Sequence, residues 1–218
     1  MKRTFSWALV TLVVTAAFAA EKPTFTSVWK TPVAYEVSFA GKKVAALVIT
    51  KDTSLQMSGE EALARELTSR GMQGVPTYRF IPREELAVAE KAKGWFERAG
   101  VEGVVAMRPV AREQRTEYTP DTWINPYYST LWGYYGYGWG SVYIPGSVSQ
   151  DTVVIVETTI YSVPRNELLW AAVAETNNPK NIRQYMSDLV TEVVKALQKQ
   201  GLAKHNAIGH AANNGLNA

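Results

Sequence analysis

Residues 43–50 (KVAALVIT) form an unbroken apolar, β-branched run. Such a run predicts a strand buried on both faces, as in a parallel sheet. Comparable runs at 75–81 (VPTYRFI), 101–110 (VEGVVAMRPV), 152–161 (TVVIVETTIY) and 167–176 (ELLWAAVAET) predict four more strands. Pro76 puts the second of them at a sheet edge, or itself at the strand's opening, because proline has no N–H to give a ladder. Between the first two strands Leu63, Ala64 and Leu67 share a helical face. Ser58-Gly59-Glu60-Glu61 ahead of them has the Ser-x-x-Glu form of a capping box, and Gly71 is a natural stop. A second helical stretch opens at 82–84, is clearest over 89–99 and ends at Gly100. Pro164-Arg165-Asn166 is a turn signal that makes the last two strands an antiparallel hairpin. A long final helix opens near Asn178-Pro179 and runs to Gln200, with an apolar stripe from Ile182 to Leu197 shaped to lie on a sheet.

Alternating strands and helices imply parallel neighbours joined by right-handed crossovers. The expected fold class is therefore α/β: a mixed five-stranded sheet, mostly parallel plus one antiparallel hairpin, with about three helices and a long aromatic loop. The expected division is a signal peptide at 1–20, an extended N-terminal arm at 21–40, one α/β domain at 41–202, and a disordered tail at 203–218. No internal repeat of fixed period interrupts this scheme.

Residues 118–146 break the pattern. Here Trp123, Tyr127, Tyr128, Trp132, Tyr134, Tyr135, Tyr137, Trp139 and Tyr143 are interleaved with Gly133, Gly136, Gly138 and Gly140. Glycine costs ordering entropy and packs nothing, and the stretch is long for an unstructured connection within a domain. It reads as a loop projecting from one end of the sheet. The rings can pack on one another and on the sheet end, keeping hydroxyls wet, or serve recognition, since Tyr and Trp are large, stiff and amphipathic. These nine aromatics are the candidate binding residues.

The N-terminus supplies an address. Lys2 and Arg3 precede an apolar run over 5–15, and Ala17-Phe18-Ala19 has the small-x-small form of a signal peptidase site. The run is shorter than the roughly 20 residues of a membrane-spanning helix. The reading is export to the periplasm with cleavage at Ala19 or Ala20. The chain has no cysteine, which excludes an acylated N-terminal Cys, disulfides, Cys nucleophiles and Cys-based zinc sites. Formal charge is +3, and loss of Lys2 and Arg3 would leave +1. Such near-balance gives no footprint for nucleic acid.

Catalytic constellations are not visible. The two histidines, His205 and His210, lie in the polar tail, where a base or metal ligand could not hold geometry. Glu60-Glu61 and Glu84-Glu85 sit where helices begin and are explained by capping and the helix dipole. Glu157 lies inside an apolar strand. It is either ordinary solvent-facing alternation, the favoured reading, or points inward to a partner such as Arg108 or Arg112. The glycines follow no strand into a helix and match no nucleotide fingerprint. No cofactor or metal is expected.

The order of elements over roughly 41–202 resembles that of small bacterial envelope domains: the N-terminal domain of the Tol translocation protein, the periplasmic domain of the curli secretion lipoprotein, and outer-membrane activators of penicillin-binding proteins. The sequence is also similar to uncharacterised exported bacterial envelope proteins, many of them lipoproteins. In these a Tyr/Trp/Gly-rich loop, here 132–140, precedes a strand pair ending in a step like Leu168-Leu169-Trp170. This chain departs from the lipidated members in lacking the acylated Cys. The resemblance implies an envelope role and carries no reaction. The functional expectation is a non-catalytic binding or assembly module contacting another envelope protein through the aromatic loop. Alternatives are a cell-wall glycan-binding module, a carboxylate-dependent hydrolase using Glu157, Asp151 or Asp121, and self-association through the loop.

Overall fold

The structure is a computed structural model of the 218-residue chain. It describes residues 23–111, 119–140, 153–177 and 182–202. The expected signal peptide at 1–20, the expected tail with His205 and His210, and Tyr143 lie outside the described residues, as do Arg112 and Asp151.

A single six-stranded sheet organises the fold, in the order β1-β6-β5-β4-β2-β3. The strands are β1 (Phe25–Lys30), β2 (Lys43–Val48), β3 (Gln73–Pro76), β4 (Gly103–Ala111), β5 (Val153–Ser162) and β6 (Glu167–Asn177). β2 pairs in parallel with both β3 and β4, whereas β4–β5, β5–β6 and β6–β1 are antiparallel. The expected five strands become six because the N-terminal arm is not a free extension. Phe25 to Lys30 pair with β6, Phe25 opposite Ala174 and Lys30 opposite Trp170. β3 is shorter than expected: after Pro76 the chain tightens into a 3₁₀ turn over Thr77–Arg79. It does lie at an edge, where a proline is tolerated.

The described residues hold seven α-helices rather than about three: α1 (Thr53–Ser69), α2 (Arg83–Leu86), α3 (Ala89–Ala99), α4 (Pro120–Ile124), α5 (Pro126–Ser129), α6 (Leu131–Gly140) and α7 (Ile182–Lys199). α1 begins ahead of the expected capping box. Its cap is Asp52, whose carboxylate accepts from Leu55 N at 3.0 Å. Ser58 instead donates back to Leu55 O at 3.2 Å. Gly71 and Gly100 stand at positive φ as the expected stops, and Gly201 after α7 does the same.

Strand alternation divides the interior into two layers. Val44, Ala46 and Val48 face the layer formed with α1 and α7, whereas Ala45, Leu47 and Ile49 face the layer formed with α3 and the aromatic helices. Both faces of β2 are therefore dry, which is why it reads as a continuous apolar run.

The projecting aromatic loop is the main correction to the expected fold. Residues 120–140 are three short helices lying on the sheet. Each has a local start signal. Thr119 N donates to Thr122 Oγ1 at 3.2 Å ahead of Pro120, and Asn125 Oδ1 accepts from Tyr127 N at 2.9 Å ahead of Pro126. Thr130 Oγ1 accepts from Gly133 N at 3.1 Å. Proline suits the first helical position because its missing N–H would be unpaired there anyway. In α6 the buried residues are Leu131, Tyr134, Tyr135 and Gly138, a helical stripe.

The glycines of α6 differ in what surrounds them. A Cβ on Gly133 would stand 2.3 Å from Pro126 O, whereas one on Gly136 meets nothing within 4 Å. Gly136→Ala should stabilise the fold by up to about 1 kcal/mol through helix propensity, and Gly133→Ala should destabilise it by about 1–3 kcal/mol through overpacking. Urea midpoints of the two variants against the parent check both signs.

Candidate functional site

The aromatic helices cover a buried charge pair. β4 and β5 place Arg108 and Glu157 directly opposite each other in the antiparallel ladder. Both point into the layer shared with α4, α5 and α6, so Glu157 takes the inward alternative rather than the favoured solvent-facing one. Its side chain is 1% exposed and that of Arg108 2%. Arg108 Nε donates to Glu157 Oε2 at 2.8 Å, and its Nη2 approaches the same oxygen at 2.6 Å.

Two phenols from the aromatic helices complete the carboxylate. Tyr128 OH donates to Glu157 Oε1 at 3.0 Å and Tyr134 OH donates to Oε2 at 3.3 Å. The Tyr137 ring centroid lies 4.9 Å from the guanidinium carbon, within cation–π range. Tyr161 on β5 donates to Tyr128 O at 2.7 Å, and Tyr135 donates to Leu86 O at 2.5 Å. Burial, then the Glu157 charge, pushes the Tyr128 and Tyr134 hydroxyls far above the ordinary phenol range. Both stay protonated and act only as donors toward the carboxylate. Burial opposes the Arg108 charge, but the Glu157 carboxylate outweighs it and raises its pKa.

The rings form a connected cluster rather than a protruding face. Trp123 meets Tyr128 edge-on at 5.2 Å, and Tyr134 tilts over Tyr161 at 5.7 Å. Phe96 of α3 contacts both Trp132 and Tyr135 edge-on. Trp123, Tyr128, Tyr134 and Tyr135 are buried, and Trp132, Tyr137 and Trp139 are half-buried. Among the described candidate rings only Tyr127, at 62%, is broadly exposed, and Ile124, three residues earlier and absent from the sequence candidates, is 61% exposed. Asp121 is exposed in the first turn of α4. The structure uses most of the described candidate rings to seal the sheet.

Glu60 is a second buried carboxylate and, contrary to the capping expectation, lies within α1 rather than at its start. Glu60 is 0% exposed. Its Oε1 accepts from Val48 N at 3.2 Å, Gln56 Nε2 at 3.1 Å and Thr77 Oγ1 at 2.6 Å, and its Oε2 accepts from Tyr78 N at 2.9 Å. It ties the end of β2, α1 and the turn after β3 together. Burial raises its pKa, against the four hydrogen bonds that lower it. Glu84 and Glu85 do lie in the first turn of α2, as expected. Among the described residues no group of three or more His, Cys, Asp or Glu side chains could hold a metal ion, and no helix is long and apolar enough to cross a membrane.

No family model and no curated protein matches the chain. Among solved structures, a PelC dodecamer from Paraburkholderia phytofirmans aligns at 16% identity and a TM-score of 0.39, over 82% of this chain and 99% of that one. A PelC point variant from the same organism, also a dodecamer, aligns at 17% and 0.40 over the same shares. Lipoprotein GNA1162 from Neisseria meningitidis aligns at 14% and 0.36, over 72% of this chain and 99% of that one.

Arg108→Met should destabilise by about 3–5 kcal/mol, because it leaves Glu157 charged in a dry site. Adding Glu157→Leu should recover part of the loss, and adding Tyr128→Phe more, since each removes a group left without its partner; denaturant unfolding of the series reads the recovery. Glu60 gives a pH signature. A carboxyl whose folded pKa is raised contributes stability in full below its ordinary value of 4.5 and loses it as pH rises through the folded value. The stability difference between wild type and Glu60→Gln should therefore be larger at acid pH than at neutral pH.

Proposed function

We propose that this chain is an exported, non-catalytic envelope protein that contacts another envelope component through the outer rim of its aromatic helices. Export rests on the Lys2-Arg3 pair, the apolar run behind it and Ala17-Phe18-Ala19. The observation that carries the contact role is the division of labour among the rings. Trp123, Tyr128, Tyr134 and Tyr135 are buried and anchor the helices, whereas Ile124 and Tyr127 stay at the surface on that rigid base. Tyr127 is backed by Tyr137 at 5.7 Å. A large apolar group held in place loses little entropy on contact, which is what binding hot spots need. The non-catalytic reading is supported by the state of Glu157, the strand carboxylate best placed for chemistry. It is engaged by Arg108, Tyr128 and Tyr134 and shut off from water.

Ile124→Ser with Tyr127→Ala should leave the thermal melt unchanged and abolish capture of the partner when the mature protein is crosslinked in envelope extracts. Identical captures by parent and variant would overturn the reading. Sedimentation with purified peptidoglycan that depends on the same two residues would reassign the partner to cell-wall glycan.

A further inference from the structure

On the same side of the sheet as the aromatic helices, but displaced toward the β3 edge, the turn after β3 and the helix α3 enclose an open groove of about 620 Å³. That size is within the range of small-ligand sites. Tyr78, Arg79, Phe80, Trp95 and Arg98 contribute its chemistry. Each of these groups is held by a neighbour rather than left to swing. Glu60 accepts from Tyr78 N and from Thr77, fixing the turn that presents Tyr78, Arg79 and Phe80. Glu61 accepts from the Tyr78 hydroxyl and pairs with Arg79 at 2.6 Å. Trp95 Nε1 donates to Glu85 at 2.7 Å, and Phe80 packs edge-on against Phe96 at 5.5 Å. The Arg98 guanidinium lies 4.2 Å from the Trp95 ring centroid. Gly94, one turn earlier, gives it room, since a Cβ there would come within 3.2 Å of its Nη1.

The charges of the groove are unequal. Glu61 and Glu85 are both spent on groove residues, and Lys91 also approaches Glu85 at 3.9 Å. Among the described residues no carboxylate lies within ion-pairing distance of Arg98. A guanidinium has five N–H donors, so Arg79 keeps donors beyond its contact with Glu61. An aromatic wall flanked by arginines with spare donors suits a ligand carrying a flat apolar face and a carboxylate together.

We propose that this groove binds an acidic saccharide. The C–H face of a uronate ring packs on Phe80, beside the Trp95 ring that Arg98 caps, and its carboxylate takes N–H groups of Arg98 and Arg79, the geometry arginine matches best. A chain of such rings repeats the same face and charge, and an open groove admits it along its length. The site is separate from the Ile124–Tyr127 rim and does not depend on it.

The test is affinity electrophoresis of the mature protein in native gels containing polygalacturonate, dextran or polyglutamate. Polygalacturonate should retard the protein, with dextran and polyglutamate having much weaker effects. Arg98→Gln should weaken the polygalacturonate interaction about tenfold or more, as loss of a charge-assisted hydrogen bond does, with no change in the thermal melt. Should that variant not fold, Arg79→Gln, whose side chain is 62% exposed, repeats the measurement. The Ile124→Ser, Tyr127→Ala protein should bind polygalacturonate like the parent, so the two proposals fail separately. The inference is overturned by no retardation, by equal retardation of parent and folded arginine variant, or by polyglutamate binding as strongly as polygalacturonate, which would make the groove a site for acidic peptides.

Discussion

The Arg108–Glu157 pair sets the terms for one whole face of this protein. Two opposed charges on neighbouring central strands are out of water. Taking each ion out of water costs several kcal/mol, recovered only if the remaining lone pairs and N–H groups also find partners. The sheet alone cannot supply them. The hydroxyls of Tyr128 and Tyr134 and the face of Tyr137 do, so the aromatic helices are bound to the sheet by polar demand as well as by apolar area. The tyrosines suit this because each brings a large apolar ring and one donor at its tip.

Glu60 performs a related task nearer the edge. It gathers donors from the end of β2, from α1 and from the turn after β3. Both buried carboxylates thus fasten irregular segments to regular ones. The sheet and the long helices need no such devices, because alternation and the stripe of α7 already bury them. The binding surfaces proposed above both sit on segments fastened in this way, where side chains are presented from a fixed backbone.

Much of the sheet was legible because its strands are long, β-branched and punctuated by glycine and proline. The parallel pairing of the first three predicted strands and the final hairpin follow from that pattern. β1 was missed because Phe25 to Lys30 is short and half-exposed, and its pairing with β6 is a tertiary fact. The aromatic helices are disguised in the sequence by their glycines, which disfavour helix. The start signals Thr119-Pro120 and Asn125-Pro126 were present in the sequence, as was the spacing of Leu131, Tyr134, Tyr135 and Gly138. Gly138 is where α6 comes close to the sheet: a Cβ would stand 2.9 Å from Ile49 Cδ1. The orientation of Glu157 had a signal too. A charge in a strand whose flanking positions are apolar on both faces has no solvent side to choose, and the remaining question is only which partner it finds.

The pairing of β1 carries a consequence for biogenesis. Phe25 rests against Ala174, so the segment synthesised early docks on one made near the end. Until β6 arrives, the first strand has no ladder partner and all of its strand N–H and C=O groups are unmet by the sheet, the kind of template that invites pairing with other chains. Contacts this distant along the chain also form slowly, because the loop between them must close first. A nascent polypeptide of this design stays vulnerable for most of its synthesis, and a holding chaperone that shields the leading segment would protect it through that interval.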